Sequence, residues 1–299
     1  MGAANVPTMS EAQSWRESFA AERIPWLAEY AYRSLLRVPI RRAGTAQRIG
    51  SRSDRALPTT TRVFPARVNG VVLSVRLDDR VARPIFYGRG PLRYELHTTK
   101  LLLEELKPSD VFLDGGTSWG WYTALAVNRV GLTGFVYGVE ANRERARVLA
   151  DDLRRAGVTN SHVVPCALGD APGRSTLGRP FSEANESQYM VGTSADGRIG
   201  DDVEIDVITI DMLHLPRLDL VKLDVEGSEV AALLGATATL RRCRPRLLLI
   251  EAMDENLARR GSSLEHLAAV LDAADYTHED IHIPAEEAAP MWACRPKEA

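Results

Sequence analysis

Five acidic side chains follow short apolar runs in this sequence, where carboxylates could bind a polar ligand or remove a proton. Asp114 follows VFL, Glu140 follows FVYGV, and Glu251 follows RLLLI. Asp224 and Glu226 come directly after the run LDLVKL, with one valine between them. Carboxylates accept hydrogen bonds from hydroxyl groups, attract cations and act as general bases. These residues therefore indicate a site whose chemistry involves hydroxyl groups, a cation or a proton transfer.

A glycine-rich turn after the first of these runs indicates which ligand is bound. Asp114 opens the segment DGGTSWG, in which Gly115, Gly116 and Gly120 let the backbone approach a ligand closely. The segment lacks the G-x-G-x-x-G spacing that brings helix amides to a dinucleotide pyrophosphate, and Asp114 would repel that group but attract an ammonium. Glu140 follows Gly120 by 20 residues and is placed to accept hydrogen bonds from both hydroxyls of a ribose. S-adenosylmethionine (SAM) carries an amino group and a ribose, so the two acids favour it.

The elements that must position these residues alternate between strands and helices from residue 110 onward. Apolar runs predict strands at 110–114, 135–140, 161–168, 218–225 and 246–252, with an extra strand around VEIDVITI and two more near 276–283 and 290–295. Helical spacing predicts helices at 91–106, 119–130, 143–156, 228–243 and 262–274. This alternation predicts an α/β fold with a mostly parallel sheet, whose ligand lies beyond the carboxyl ends of the strands.

The chain before this region has a different composition. Residues 1–56 contain nine arginines, no lysine and five acids, whereas the whole chain has a net charge of −3. Residues 10–38 are predicted to form a helix that docks on the main domain, or alternatively one that binds a membrane surface or a partner. Residues 41–60 are predicted to be a linker, and Asn69-Gly70 predicts a β-hairpin. The predicted domains are an arginine-rich helical extension with its linker (1–56) and a catalytic domain (57–299).

Composition also indicates in which cellular compartment the protein lies and which binding partners are excluded. The longest apolar run is shorter than the ~18 residues of a membrane span, and the N-terminus lacks a signal-peptide core. Cys166, Cys243 and Cys294 have no metal-ligand spacing, which indicates a reducing compartment. We therefore expect a cytoplasmic protein without stable membrane insertion. The acidic balance after residue 56 argues against a nucleic-acid partner.

Several segments together resemble the FkbM family of SAM-dependent methyltransferases. They are LDGGTSWGWYTALA, GFVYGVEANRE, CALGD and, most specifically, LDLVKLDVEGSEVAALLGATATLRRCRPRLLLIE. The resemblance covers about residues 85–296 and departs from the family in its first turn, which usually reads D-x-G-A-N-x-G but here contains Thr117, Ser118 and Trp119. It implies a class I (Rossmann-like) fold with a mostly parallel seven-stranded sheet, which the predicted N-terminal extension and hairpin precede in the chain.

The resemblance also implies roles for individual residues. Asp114, Gly116 and Ser118 would line the methionine end of SAM, and Glu140 would hold the ribose. The adenine would be flanked by Ala167 and Leu168, the sulfonium would lie beside Asp224, and the cofactor would also be faced by Glu95.

The implied reaction is O-methylation of a hydroxyl on a small molecule, sugar, glycolipid or polyketide-type natural product. A hydroxyl needs a base or a metal to lose its proton, and Asp224, Glu226 and Glu251 could supply either function. We favour a metal-free base made of Asp224 and Glu226, with Mg²⁺ as the alternative and His97 as a weaker candidate near the site. Nucleic-acid methyltransferases that act on amino groups have an Asn/Asp-Pro-Pro-aromatic motif after the strand equivalent to LDLVKL, and those that act on a cytosine carbon have Pro-Cys there. The residues after LDLVKL match neither motif. An NAD-dependent oxidoreductase and a non-catalytic SAM-binding module remain the alternative functions.

Overall fold

The structure is a computed structural model that describes residues 63–76, 79, 81–87, 94–178, 190–191, 203–281 and 290–298. The predicted N-terminal helix and the linker at 41–60 lie outside the described residues, as do residues 179–189 and 192–202. The first described element is the predicted hairpin, β1 (Val63–Val68) paired antiparallel with β2 (Val71–Arg76). Asn69 and Gly70 both have positive φ values, 46° and 89°, as a two-residue hairpin turn of this kind requires.

Eleven further strands and eight α-helices follow in the described part of the chain. The strands are β3 (Val111–Gly115), β4 (Phe135–Val139), β5 (Ser161–Val164), β6 (Ala167–Leu168), β7 (Gly173–Gly178), β8 (Met190–Val191), β9 (Val203–Ile208), β10 (Leu220–Leu223), β11 (Leu247–Glu251), β12 (Tyr276–Asp280) and β13 (Met291–Pro296). The helices are α1 (Ala82–Tyr87), α2 (Leu96–Glu105), α3 (Trp121–Val130), α4 (Arg143–Arg155), α5 (Glu229–Leu234), α6 (Thr237–Cys243), α7 (Asp254–Ala258) and α8 (Leu264–Ala273), with a 3-10 helix at Ile210–Leu213.

The main sheet has seven strands in the order β12-β13-β11-β10-β3-β4-β5. The central strands β11, β10, β3, β4 and β5 are parallel, and β13 is antiparallel to both of its neighbours. Every residue of β10 and β11 is buried, as expected for strands covered on both faces. The prediction of a mostly parallel seven-stranded sheet is confirmed.

The hydrophobic core joins the middle of this sheet to the helices that cover it. Leu113, Leu223 and Ile250 come from β3, β10 and β11, and they share one cluster of buried residues with Leu267 and Leu271 of α8. The core fixes the strands side by side, so that their carboxyl ends form a single edge. No helix in the described part of the chain is long and apolar enough to cross a lipid bilayer.

The strand predicted at 161–168 is two strands. β5 ends at Val164, and β6 leaves the main sheet to join a second sheet in the order β6-β9-β7-β8. No element was predicted between residue 169 and the strand VEIDVITI, but this part of the chain contributes β7 and β8 to the second sheet. β7 reads GRSTLG, and it has no apolar alternation because its pairing with β9 leaves much of it exposed.

The helix predicted at 228–243 is interrupted near Gly235. A Cβ atom on Gly235 would lie 2.1 Å from the carbonyl oxygen of Gly169, so the chain here packs directly against another backbone segment. Asp211 then accepts hydrogen bonds from the amides of Ala238 and Thr239, at 3.0 and 2.7 Å, at the start of α6. These contacts between distant segments explain why local spacing predicted a single helix.

Candidate active site

A cleft lies where the carboxyl ends of β3, β4 and β10 meet. The space between its walls, including the part open to solvent, is about 760 Å³. Most of the site residues predicted from the sequence line this cleft, namely Gly116, Ser118, Glu140, Ala167, Leu168, Asp224 and Glu226. Glu95 and Asp114 lie outside its lining, as does His97.

The glycine turn after β3 brings two backbone segments into close contact. Gly116 has φ +82°, and a Cβ atom on it would lie 1.8 Å from the carbonyl oxygen of Asp224, so the packing excludes a side chain. Ser118 has a positive φ of 50°, which glycine would adopt at less cost. In this conformation the backbone amide of Ser118 donates a hydrogen bond to Glu140 Oε2 at 2.8 Å. The turn is therefore tied to the ends of β10 and β4.

Glu140 lies at the end of β4 with both carboxylate oxygens facing backbone amides. Oε2 accepts from Ser118, and Oε1 accepts from the amide of Asn142 at 2.9 Å. Burial raises the pKa of Glu140, while the charge of Arg145 and the two amides act against this rise. A carboxylate has about four acceptor sites, so the two amides leave capacity for two hydroxyl donors.

Asp114 is fully buried beneath the glycine turn and does not form part of the cleft wall. Its Oδ2 accepts a hydrogen bond from Thr123 Oγ1 at 2.6 Å, whereas Oδ1 has no hydrogen-bond partner. Burial raises the pKa of Asp114, and the positive charge of Lys222 opposes that effect. Such a carboxylate can act on a ligand in the cleft through its charge.

Lys222 is a residue of this site that was not predicted from the sequence. It is 1% exposed, and its Nζ donates a hydrogen bond to Asp224 Oδ2 at 2.8 Å. The same ammonium lies 4.6 Å from the centroid of the Tyr122 ring. A lysine inside the strand LVKL, which is otherwise apolar, was the available signal, because lysine is almost never fully buried without a partner.

Glu95 precedes α2 in a left-handed conformation, with φ 43° and ψ 69°. Its Oε2 accepts a hydrogen bond from the hydroxyl of Tyr122 at 2.5 Å. Burial raises the pKa of Glu95, and Lys222 again opposes the rise. Glu95 does not line the cleft, so its position facing the cofactor stays a prediction. Its carboxylate belongs to the group of charges around Lys222.

A second group of acids lies where β10 and β11 end. The Nδ2 of Asn256 donates to Glu226 Oε2 at 2.9 Å and to Glu251 Oε2 at 3.3 Å, while Glu229 Oε1 accepts from the amides of Val225 and Gly227. Burial raises the pKa of Glu226 to about 8, and the negative charge of Asp224 adds to this effect. A carboxyl group of this kind exchanges its proton near neutral pH. Among the residues that the structure describes, no set of three or more His, Cys, Asp or Glu has the geometry to hold a metal ion.

The cleft lining includes one member of an ion pair that was not predicted from the sequence. Arg145 lines the cleft, and its Nη2 lies 2.5 Å from Asp79 Oδ2. Its guanidinium carbon lies 4.9 Å from the centroid of the Trp119 ring. Trp119 and Trp121 are both buried outside the cleft lining, and Trp121 Nε1 donates to Thr99 Oγ1 at 3.0 Å. The departure from the usual family turn therefore leaves the cleft open.

The residues present fit SAM. The turn at Gly116 allows close approach by a ligand, Glu140 has acceptor capacity for ribose hydroxyls, and the unpartnered Oδ1 of Asp114 adds a buried negative charge beneath the turn. Ala167 and Leu168 supply an apolar surface suited to an adenine ring. With the strand order of the main sheet, these features define a class I SAM-dependent methyltransferase.

Comparison with known proteins identifies the family. Residues 110–277 match the family model of the Methyltransferase FkbM domain, and the chain belongs to this family. The predictions of an FkbM methyltransferase and of SAM as its cofactor are confirmed.

One curated relative is the hexuronic acid methyltransferase AglP of Haloferax volcanii, with 27% identity over 155 residues. This match covers 50% of the present chain and 59% of AglP, so the chain spans less than two thirds of that relative.

Among the solved structures that are similar to this chain is methyltransferase FkbM from Methylobacillus flagellatus KT, with 20% identity and a TM-score of 0.43. The match covers 72% of this chain and 53% of that chain. The O-methyltransferase TomG from Streptomyces achromogenes has 15% identity and a TM-score of 0.42, and the match covers 67% of this chain and 79% of TomG. Because both TM-scores are below 0.5, the fold assignment rests on the strand order and the family match.

Proposed function

We propose that this methyltransferase transfers a methyl group from SAM to a hydroxyl group of a small molecule, a sugar, a glycolipid or a polyketide-type natural product. The observation that carries the proposal is the carboxyl group of Glu226, which lines the cleft beside Asp224 and has a pKa raised to about 8. A hydroxyl acceptor has a pKa not far below the ~15.7 of water, so it needs a base as the new bond forms.

Each cofactor-binding residue has a distinct proposed role. SAM, when bound, supplies an electrophilic methyl group. Glu140 accepts the ribose hydroxyls, Gly116 and Ser118 let the backbone approach the methionine end, and Asp114 attracts the amino group through its charge. The adenine lies against Ala167 and Leu168. Glu95 helps to balance the charge of Lys222 beneath this site.

The two carboxylates after β10 have different proposed roles in the transfer. Asp224 Oδ2 accepts a hydrogen bond from Lys222, so we assign Asp224 to the methyl-donor end of the cleft and proton removal to Glu226. Because Asn256 already donates to Glu226 Oε2, the proton goes to Oε1. A base must be deprotonated to act, so turnover rises as the pH increases through the pKa of Glu226 and falls below it.

The family supports methyl transfer, and the acid pair supports a hydroxyl acceptor over a phosphate-bearing one. We also propose that residues 57–299 form the catalytic domain of a cytoplasmic enzyme. The arginine-rich residues 1–56 would then bias the choice of acceptor toward anionic or amphiphilic molecules.

The test measures S-adenosylhomocysteine (SAH) release from SAM with a panel of hexoses, hexuronic acids, glycosides and phenolic polyketides. Glu226→Gln is expected to bind SAH normally but to lose about 10²–10⁴-fold in turnover, the usual contribution of a general base. Asp224→Asn is expected to lose turnover as well. Full activity in both variants would exclude this pair. If chelation abolished wild-type activity and Mg²⁺ restored it, the metal-assisted alternative would replace the metal-free base. SAH binding with no turnover on any acceptor would instead favour a non-catalytic module.

A further inference from the structure

A single buried cation lies among carboxylates from three different elements beneath the cofactor cleft, within the part of the chain that the structure describes. Lys222 of β10 is the direct parallel-strand neighbour of Asp114 of β3, and both side chains are almost completely buried. The Lys222 ammonium forms its 2.8 Å hydrogen bond with Asp224, at the end of the same strand. Because an ammonium loses its hydration when it is buried, such a group is retained where nearby negative charge compensates it.

The surrounding carboxylates outnumber this cation. Two carboxylate oxygens near Lys222 accept hydrogen bonds from neutral hydroxyl groups. Asp114 Oδ2 accepts from Thr123, and Glu95 Oε2 accepts from Tyr122. Asp114 Oδ1 is buried without any hydrogen-bond partner. Lys222 therefore acts on Asp114 through its charge, across the sheet. The other titratable groups that face this centre are Tyr94, Glu95, Tyr122, Glu140 and Asp224.

The electrostatic consequence has a definite sign. Burial favours the neutral form of Asp114 and of Glu95, and it raises the pKa of both. The charge of Lys222 is the largest effect that lowers these two pKa values. If this charge were removed, Asp114 would hold a proton up to a higher pH. A protonated Asp114 no longer attracts an ammonium group.

We propose that Lys222 is a positioning residue that keeps Asp114 ionised, so that the centre beneath the glycine turn presents negative charge to the amino group of the cofactor. The inference rests on the proposed role of Asp114, and it concerns cofactor binding rather than the acceptor reaction. Lys222 acts through Asp114 and touches no reacting atom. The free-energy cost of burying the Lys222 ammonium is then offset by its attraction to the ionised Asp114 carboxylate.

The experiment compares two ligands by calorimetric titration between pH 6 and pH 8. SAH has the amino group, whereas 5′-methylthioadenosine has the adenosine and the thioether but no amino acid part. In Lys222→Met, SAH affinity is expected to fall about tenfold or more at pH 6 and to recover as the pH rises, since raising a pKa by one changes the protonation equilibrium about tenfold. Methylthioadenosine affinity is expected to stay close to that of the wild type. Lys222→Arg keeps the charge and is expected to restore SAH binding.

One further variant tests the proposal if Lys222→Met does not fold, and another serves as a control. Asp114→Asn leaves Lys222 in place and is expected to lose SAH affinity selectively, without the recovery at higher pH. Lys100→Met, at an exposed position of α2 where Lys100 pairs with Glu104 at 3.8 Å, serves as the control for loss of a lysine. Equal losses for both ligands, or wild-type SAH binding in folded Lys222→Met or Asp114→Asn, would overturn the proposal. Because every readout is binding, failure to find a hydroxyl acceptor would leave this result unaffected.

Discussion

Replacing Glu140 by alanine removes the carboxylate that two backbone amides and, in the proposed site, two ribose hydroxyls share. The amide bonds from Ser118 and Asn142 exist in the free protein, so their loss lowers stability. The hydroxyl bonds form only in the complex, so their loss lowers affinity. One hydrogen bond to a charged group contributes about 1.5–3 kcal/mol, so we expect the loss of both hydroxyl bonds to lower SAH affinity by at least that amount, or at least about 10- to 150-fold.

Calorimetric titration with SAH measures this loss, and thermal unfolding shows whether the variant is folded. Glu144→Ala is the matched control, because Glu144 is an exposed acid in the first turn of α4, four residues further along the chain. Glu140→Gln keeps the side-chain shape and one acceptor oxygen, so it replaces the alanine variant if that variant is too unstable. A folded Glu140→Ala protein that binds SAH as tightly as the wild type would show that Glu140 does not hold the ribose.

Two other changes test the backbone of the site and the domain boundary. Gly116→Ala adds a Cβ atom 1.8 Å from the Asp224 carbonyl oxygen at a left-handed position, so we expect about 2–5 kcal/mol lower stability by chemical denaturation; an unfolding midpoint equal to that of the wild type would contradict the close backbone contact. Deletion of residues 1–56 is expected to leave SAH affinity unchanged in calorimetry, and a collapse of binding would show that the extension belongs to the catalytic domain.

The sequence predicted the parts of the fold that depend on local signals. The seven strands of the main sheet were located within a few residues, and the signal was clearest for β10 and β11, which are short and completely buried. Asn69-Gly70 predicted the hairpin, since few residue pairs adopt two positive φ values at low cost. The glycine turn and Glu140 were located for a similar reason. A turn between a strand and a helix, followed by an acid at the end of the next strand, is encoded within about 30 residues.

The rest depended on contacts between distant segments. The break at Gly235 follows from its packing against Gly169, which lies on a remote part of the chain. β7 has a polar sequence, and its hydrogen bonds with β9 hold it in the second sheet. The lysine in the apolar run LVKL was a signal in the sequence, but its partners were not, because they depend on the register that places Lys222 beside Asp114 and its ammonium on Asp224. The family resemblance implied that Glu95 faces the cofactor, and only the structure shows that its carboxylate accepts a hydrogen bond from Tyr122.

Three residues at or near the site have strained backbone conformations. Glu95, Ser118 and Glu226 all have left-handed conformations, with φ values of 43°, 50° and 54°, although none is a glycine. Each such conformation costs roughly 1–2 kcal/mol, so the surrounding contacts must compensate for it. At Ser118 the conformation accompanies the amide bond to Glu140, and at Glu226 the carboxylate is held by Asn256. A glycine would adopt these angles at less cost, but at Glu226 it would lack the carboxylate that the proposed chemistry requires. Local strain and function therefore coincide at this position, and the buried sheet supplies the stability that the strained residues lack.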